Sequence, residues 1–357
     1  VVVISAEIRL LRGGFLLEAR IDTRVRSAAI FGRSGAGKTT ILDAIAGLLR
    51  PASGRIEIAG EVLFDSAVGV DVPMRRRRVG YVRQAADLFP RMTVADNLAF
   101  ACRSRGRANA VLEEEAIDAF GIRSLLGRLP GELSGGQARR AQLARAVASA
   151  PAILLLDEPL SNLDDEARRG ILPYLRVLRE RFDLRVIFVS HRPEEVLAFS
   201  EEVFVLEGGR IAARGAPFET LSRPATWPMA RASGLENFLR AIAVGPDPEG
   251  GTLVRWGDLD LHAPRLAAAP GEPVTLGLFA EDVLLARGPA GRLSARNAFP
   301  SRVEEVSAAS GEVLVKLSAG GRELLARVTD GAVRDLEISP GSLLTAIVKS
   351  TALRPLA

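Results

Sequence analysis

A chain of 357 residues is long enough for two domains, each with its own core, and a hydrophobic fraction of 48% beside a charged fraction of 25% excludes a disordered chain. The single cysteine, Cys102, excludes an internal disulfide framework and fits a reducing compartment as an inert thiol; with no uncharged apolar run of about 18 residues and no leader-like N-terminus, neither a membrane-spanning nor a secreted chain is expected. The net charge of +4 rests almost wholly on arginine. The arginines are dispersed apart from residues 75–78, and aromatic residues are few, so no nucleic-acid partner is expected; a solvated face, or a face apposed to anionic lipid, accounts for the excess.

In chain order, residues 3–31 predict short strands broken at Arg12-Gly13-Gly14 and Asp22-Thr23. Phe15 can either stack on an adenine ring or fill the core. The apolar run 28–31 then leads into Gly32-Arg33-Ser34-Gly35-Ala36-Gly37-Lys38-Thr39-Thr40 and an amphipathic stretch 41–49, which reads as strand, glycine loop and helix. The spacing is that of a phosphate-binding loop, whose backbone N-H groups converge on phosphate oxygens at the positive end of a helix. Lys38 would reach the β- and γ-phosphates, and Thr39 would hold Mg²⁺. Only three lysines occur, at 38, 316 and 349. A compact ammonium fits a phosphate cradle where arginine's wide fork does not, which gives a physical reason for lysine here.

Residues 55–58 predict a strand, and residues 77–83 an alternating strand ending on Gln84, whose carbonyl could meet Mg²⁺ or the attacking water. Residues 93–126 predict helices with Thr93 as a cap and no catalytic-looking group. Leu133-Ser134-Gly135-Gly136-Gln137 precedes a helix over 138–150, with Ser134 as N-cap. It is either a simple capped helix or a second anion site, and a second site invites a facing copy related by two-fold symmetry. Residues 152–156 predict a buried parallel strand that delivers Asp157 and Glu158 to the sheet's carboxyl edge. Asp157 would orient Mg²⁺ and Glu158 would polarise water; alternatively a helix starts at Glu158-Pro159. A strand over 185–190 ends at His191, either structural or a γ-phosphate sensor.

Taken together, these residues resemble the ATP-binding cassette family, the ATPase subunits of ABC transporters, over about residues 1–230. The match runs in order through the phosphate loop 32–39, Gln84, the signature 133–137, the acidic strand 153–157 with Glu158, the loop Ser161 to Asp164, and His191. The resemblance implies an α/β phosphate-loop NTPase over 1–231 with a helical subdomain at about 86–135. It also implies ATP and Mg²⁺ as cofactors, ATP held between the loop of one copy and Ser134-Gly135-Gly136 of the other in a homodimer, and catalysis by Glu158, His191 and Gln84. Asp164 joins the nucleotide-binding set, and Thr39, Gln84 and Asp157 the metal set. The helical insert would dock on an integral-membrane permease. Asn162 replaces the family's usual alanine, and no tyrosine or tryptophan marks an adenine platform.

Beyond Pro228, short alternating strands and turns predict an all-β, oligonucleotide-binding-like regulatory domain over 232–357. A faint repeat relates residues 235–241 to 295–301 and 274–280 to 343–349. Residues 292–357 resemble a molybdate-binding Mop or TOBE module, which implies an oxyanion set of Ser294, Arg296, Lys349 and Ser350; Asp330 and Ala332 depart from that pattern and an acid there would weaken it. Residues 65–73 and 77–81 resemble molybdate-importer ATPases. The expectation is therefore an ATPase powering molybdate or tungstate import, peripheral on the cytoplasmic face of a bacterial inner membrane, with a permease partner fed by a periplasmic binding protein and with oxyanion as regulatory ligand. The rivals are an importer for sulfate, ferric iron or a sugar, a soluble cassette ATPase acting on DNA or ribosomes, and an oxyanion store with a degenerate ATPase. Leu133 follows Gln84 by only 49 positions, too few for the long arm of the soluble class.

Overall fold

The computed structural model describes residues 4–84, 87–103, 110–161, 170–171, 173–175, 177–178, 181–221, 237–248, 250–289, 291, 293–309 and 312–356. It divides into two compact units, residues 1–192 with 199–220, and residues 193–198 with 221–357.

The first unit is built on an eleven-stranded sheet. One end of it is parallel: Ser27–Phe31, Val186–Ser190, Ile153–Asp157 and the edge strand Val79–Val82 lie side by side in that order. The first three of these strands are buried at every position, as their unbroken apolar runs require of strands covered on both faces. Register then decides what the sheet presents. Phe31 pairs with Ser190, Asp157 with Val189, and Val82 with Leu156, so the four strands end level. The chain continuing from these ends is the glycine loop, His191, Glu158 and Gln84. An antiparallel layer led by Ile4–Arg12 and Phe15–Thr23 extends the sheet on one side.

Behind the glycine loop stands the helix Lys38–Ala46, entered through Gly37 at φ 103° and left through Gly47 at φ 82°. A side chain at Gly32 would place its Cβ 2.4 Å from the Leu206 carbonyl oxygen, so only glycine allows the backbone this close to the sheet. The negative end of the helix is met by a buried cation. Arg77, 2% exposed, donates from Nη1 to Ala44 O and Ile45 O at 2.8 and 2.9 Å. Three further helices, Val94–Arg103, Ala110–Ala119 and Gly135–Ala148, pack on one another. Thr93 caps the first, accepting from Asp96 N while Asp96 accepts from Thr93 N, a reciprocal box.

The second unit holds two five-stranded sheets over one shared core that includes Leu239, Trp256, Leu276, Phe299, Val315 and Ala346. The repeat expected from the sequence is visible in the pairing. Asn237–Pro246 pairs antiparallel with Pro273–Leu278, and Asn297–Ala309 pairs the same way with Leu343–Val348, with Asn237 opposite Leu278 and Asn297 opposite Val348. Each asparagine reaches across to the other sheet. Asn237 receives Leu325 N at 2.7 Å and donates to Leu325 O at 2.9 Å; Asn297 receives His262 N at 2.7 Å and donates to His262 O at 3.0 Å.

Candidate functional site

At the level strand ends of the first unit the reactive side chains converge on Glu158. His191 Nδ1 donates to Glu158 Oε1 at 3.1 Å, Gln84 Nε2 to Oε2 at 3.4 Å, and Lys38 Nζ lies 4.0 Å from Oε1. Lys38 Nζ also donates to Gly32 O and Arg33 O at 2.8 and 2.9 Å, which holds the ammonium inside its own loop. Thr39 Oγ1 donates to Asp157 Oδ2 at 3.0 Å. Six residues singled out in the sequence, Lys38, Thr39, Gln84, Asp157, Glu158 and His191, therefore stand together although they come from four separate strand ends.

The alternative of a helix beginning at Glu158 is not what forms. Glu158 adopts φ +45°, a left-handed conformation that costs an ordinary residue about 1–3 kcal/mol. Ser161 holds it there, donating from N and Oγ to Glu158 O at 3.1 and 2.8 Å, while Glu158 N donates to Val189 O. The strained backbone turns the carboxylate toward Lys38 and His191. Electrostatics separate the two acids. The hydrogen bond from His191 keeps Glu158 below the usual carboxylate range, against the effect of burial. Burial pushes the neighbouring Asp157 up, opposed by its bond from Thr39. Burial likewise lowers Lys38, with Glu158 and Asp157 pulling the other way.

Asp157 is 4% exposed, and hydroxyl, carboxylate and amide oxygens are the donors that a hard divalent cation takes. A buried carboxylate destabilised by its own desolvation and set against a threonine hydroxyl fits Mg²⁺. Phe15 lies beside the loop: a Cβ at Gly37 would come 3.2 Å from the Phe15 ring. The ring is half-buried and packs against the core.

Ser134 caps the helix Gly135–Ala148 through a box: its Oγ accepts from Gln137 N at 3.4 Å and its N donates to Gln137 Oε1 at 3.0 Å. Among the described residues, no hydrogen bond joins 134–137 to the glycine loop of the same chain. Asp164 lies outside the described residues. In the second unit, the pairing of Asn297 with Val348 makes Arg296 and Lys349 the next residues at adjoining strand ends, both exposed. Ser350 opens a one-turn helix, Ser350–Ala352, and Ser294 stands exposed two positions before Arg296. Thr329 caps the helix Asp330–Asp335 by accepting from Ala332 N, which gives residues 330–332 a local structural task.

Three supporting residues escaped the sequence reading. Tyr81 donates to Asp43 of the phosphate-loop helix at 3.0 Å, and burial raises its phenol well above the ordinary value. Arg139 donates from Nη1 to Arg83 O at 2.9 Å and from Nη2 to Gln84 O at 3.2 Å. Arg77 is the third. One signal was present for Arg139: it falls on the buried stripe Arg139, Gln142, Leu143, Ala146, spaced as one helix face.

Comparison with known proteins follows the same division. The family described as ABC transporter matches residues 23–161, and the family described as TOBE domain matches residues 293–355. The chain is 38% identical over 357 residues to the molybdenum import ATP-binding protein ModC of Rhizobium meliloti (strain 1021), covering 98% of this chain and 99% of that one. ModC 1 of Azotobacter vinelandii is 37% identical with 98% of each chain covered, and ModC of Yersinia pestis bv. Antiqua (strain Antiqua) is 38% identical over 90% of this chain and 89% of its own. Among solved structures, an ATP-binding cassette of an ABC transporter aligns with a TM-score of 0.56 at 21% identity, covering 64% of this chain and 98% of its own. The structure of cbiO1 from Clostridium perfringens aligns at 0.53 and 24% identity, covering 65% of this chain and 95% of its own. At those identities the structural likeness concerns the fold.

Proposed function

The chain belongs to the ATP-binding subunits of molybdenum-importing ABC transporters, and we propose that its carboxyl-edge site hydrolyses ATP to ADP and phosphate with Glu158 as the group that polarises the attacking water. The observation that carries this reading is the convergence of Lys38, Gln84 and His191 on one carboxylate. Backbone N-H groups of the loop and Lys38 bind the β- and γ-phosphates, Lys38 exchanging its own loop carbonyls for phosphate oxygens. Phe15 packs against the adenine side. Water attacks the γ-phosphorus in line, the bond to the β,γ-bridging oxygen breaks with its electron pair leaving on ADP, and the water's proton passes through Glu158 to the released phosphate. His191 fixes the rotamer of Glu158 and contacts the γ-phosphate. Thr39, Asp157 and Gln84 would hold Mg²⁺, which supplies charge neutralisation to the phosphates.

Ser134 and Gly135 stand exposed at the capped start of their helix, which supports a homodimer in which each signature closes the other copy's site, with Asp164 near the junction. Closing and opening of that pair would move a membrane permease, so the protein acts peripherally on the cytoplasmic face of the inner membrane, with an extracytoplasmic binding protein delivering substrate. Arg296 and Lys349, with Ser294 and Ser350, form the regulatory oxyanion end of a second domain, residues 232–357, which follows an ATPase domain of 1–231 in the chain. Calorimetric titration of the full chain with molybdate, tungstate and sulfate tests the substrate assignment. Binding of the first two in preference to sulfate supports it, and sulfate preference moves the assignment to a sulfate importer while leaving the ATPase intact.

A further inference from the structure

Arg139 is 5% exposed, yet it carries a full guanidinium on the buried face of the helix whose first turn is the signature. Burying such a cation is costly, and here the desolvation lowers its pKa while Asp87 and Asp157 attract it. Two successive carbonyls offset that cost. The two Nη atoms of the fork reach Arg83 O and Gln84 O, the two residues that follow the strand Val79–Val82. A planar fork with two divergent donors fits adjacent carbonyls, and a single ammonium does not. The segment it grips is held from the other side too: Tyr81 donates to Asp43, and Arg77 donates to Ala44 O and Ile45 O, both on the phosphate-loop helix. The run 77–84 is thus bolted to the phosphate helix at one end and to the signature helix at the other.

We propose that Arg139 is a positioning residue that ties the glutamine loop of a chain's own nucleotide site to the signature turn with which that chain closes its partner's site. The proposal rests on the shared-site reading given above. A phosphate that draws Gln84 shifts the carbonyls of Arg83 and Gln84, and the buried guanidinium carries the shift into the helix capped by Ser134, about one and a half turns away. Occupancy of one site thereby sets the geometry offered to the other.

The test uses the full chain. Arg139→Met keeps the apolar stem and removes both donors. It is expected to lower kcat about tenfold with the KM for ATP changed less than about twofold, since the Arg139 guanidinium is buried and engaged by the Arg83 and Gln84 carbonyls. In a Glu158→Gln background, ATP should hold a dimer measurable by light scattering, and adding Arg139→Met should shorten its lifetime by a similar factor at a temperature well below the variant's melting transition. Arg139→Lys, able to serve one carbonyl, should restore part of both losses, which a purely structural role does not predict. If Arg139→Met does not fold, Arg139→Gln carries the same expectations. Unchanged kcat and dimer lifetime in the variant overturn the role of Arg139 alone. Failure of the Glu158→Gln parent to dimerise with ATP removes the shared-site reading, and the proposal with it.

Discussion

The two units present their candidate anion-binding groups on opposite plans. In the first, Lys38 and Asp157 are 6% and 4% exposed, and each acid, base and amide of the site is already hydrogen-bonded to another member. In the second, Arg296 and Lys349 stand in solvent at the ends of paired strands. A buried, mutually satisfied site costs desolvation and backbone strain, but it fixes geometry before the ligand arrives, which is what a reaction needs. An exposed pair of cations avoids most of that desolvation and is screened by salt, and would suit the reversible binding of a small dianion.

The comparison breaks most sharply at Glu158. Glu158→Gln should cut kcat by about 10²–10⁴-fold while leaving nucleotide binding intact, read by steady-state turnover beside equilibrium titration; turnover near the parent's would remove Glu158 from the chemistry. Next in size, Arg296→Ala or Lys349→Ala should weaken molybdate binding by about ten- to a hundredfold, as expected for losing one charge-assisted hydrogen bond, with ATP turnover in the absence of oxyanion unmoved. An unchanged molybdate isotherm in the double variant would place the oxyanion elsewhere. The smallest effect belongs to Phe15. Replacing it with leucine keeps the packing against the core and loses ring stacking, worth about 0.5–1.5 kcal/mol, so the nucleotide dissociation constant should rise about two- to tenfold. No change would return Phe15 to a core role.

How legible these features were depends on the distance over which each is specified. The buried parallel strands announce themselves as apolar runs, and the residues following them inherit a shared edge once the strands are parallel and level; hence Lys38, Gln84, Asp157, Glu158 and His191 could be named in advance. The caps at Thr93 and Ser134 are equally local, each needing a partner three residues on. The turn at Glu158 was ambiguous because a proline after an acid also suits a helix start, and the choice against it is made by Val189 and Ser161, which fix the strained backbone. Arg77, and Arg139 apart from its place on a buried helix stripe, were hidden for a different reason. An arginine reads as surface unless carbonyl acceptors wait for it, and those acceptors lie 55 to 56 residues away for one and 32 to 33 for the other. Tyr81 and Asp43, 38 residues apart, share that invisibility.

The crossed asparagines of the all-β unit bear on how that unit arose and how it comes apart. Asn237, rooted in the first sheet, satisfies both backbone groups of Leu325 in the second, and Asn297 returns the service to His262 in the first. Separating the halves would strand a buried amide and two peptide groups on each side, at about 1–3 kcal/mol for every group left unmet. Each copy of the repeat has become part of the other's interior. The unit is therefore a duplication that can no longer be halved: it should melt in one cooperative transition, with the amide hydrogens of Leu325 and His262 exchanging only when the whole unit opens.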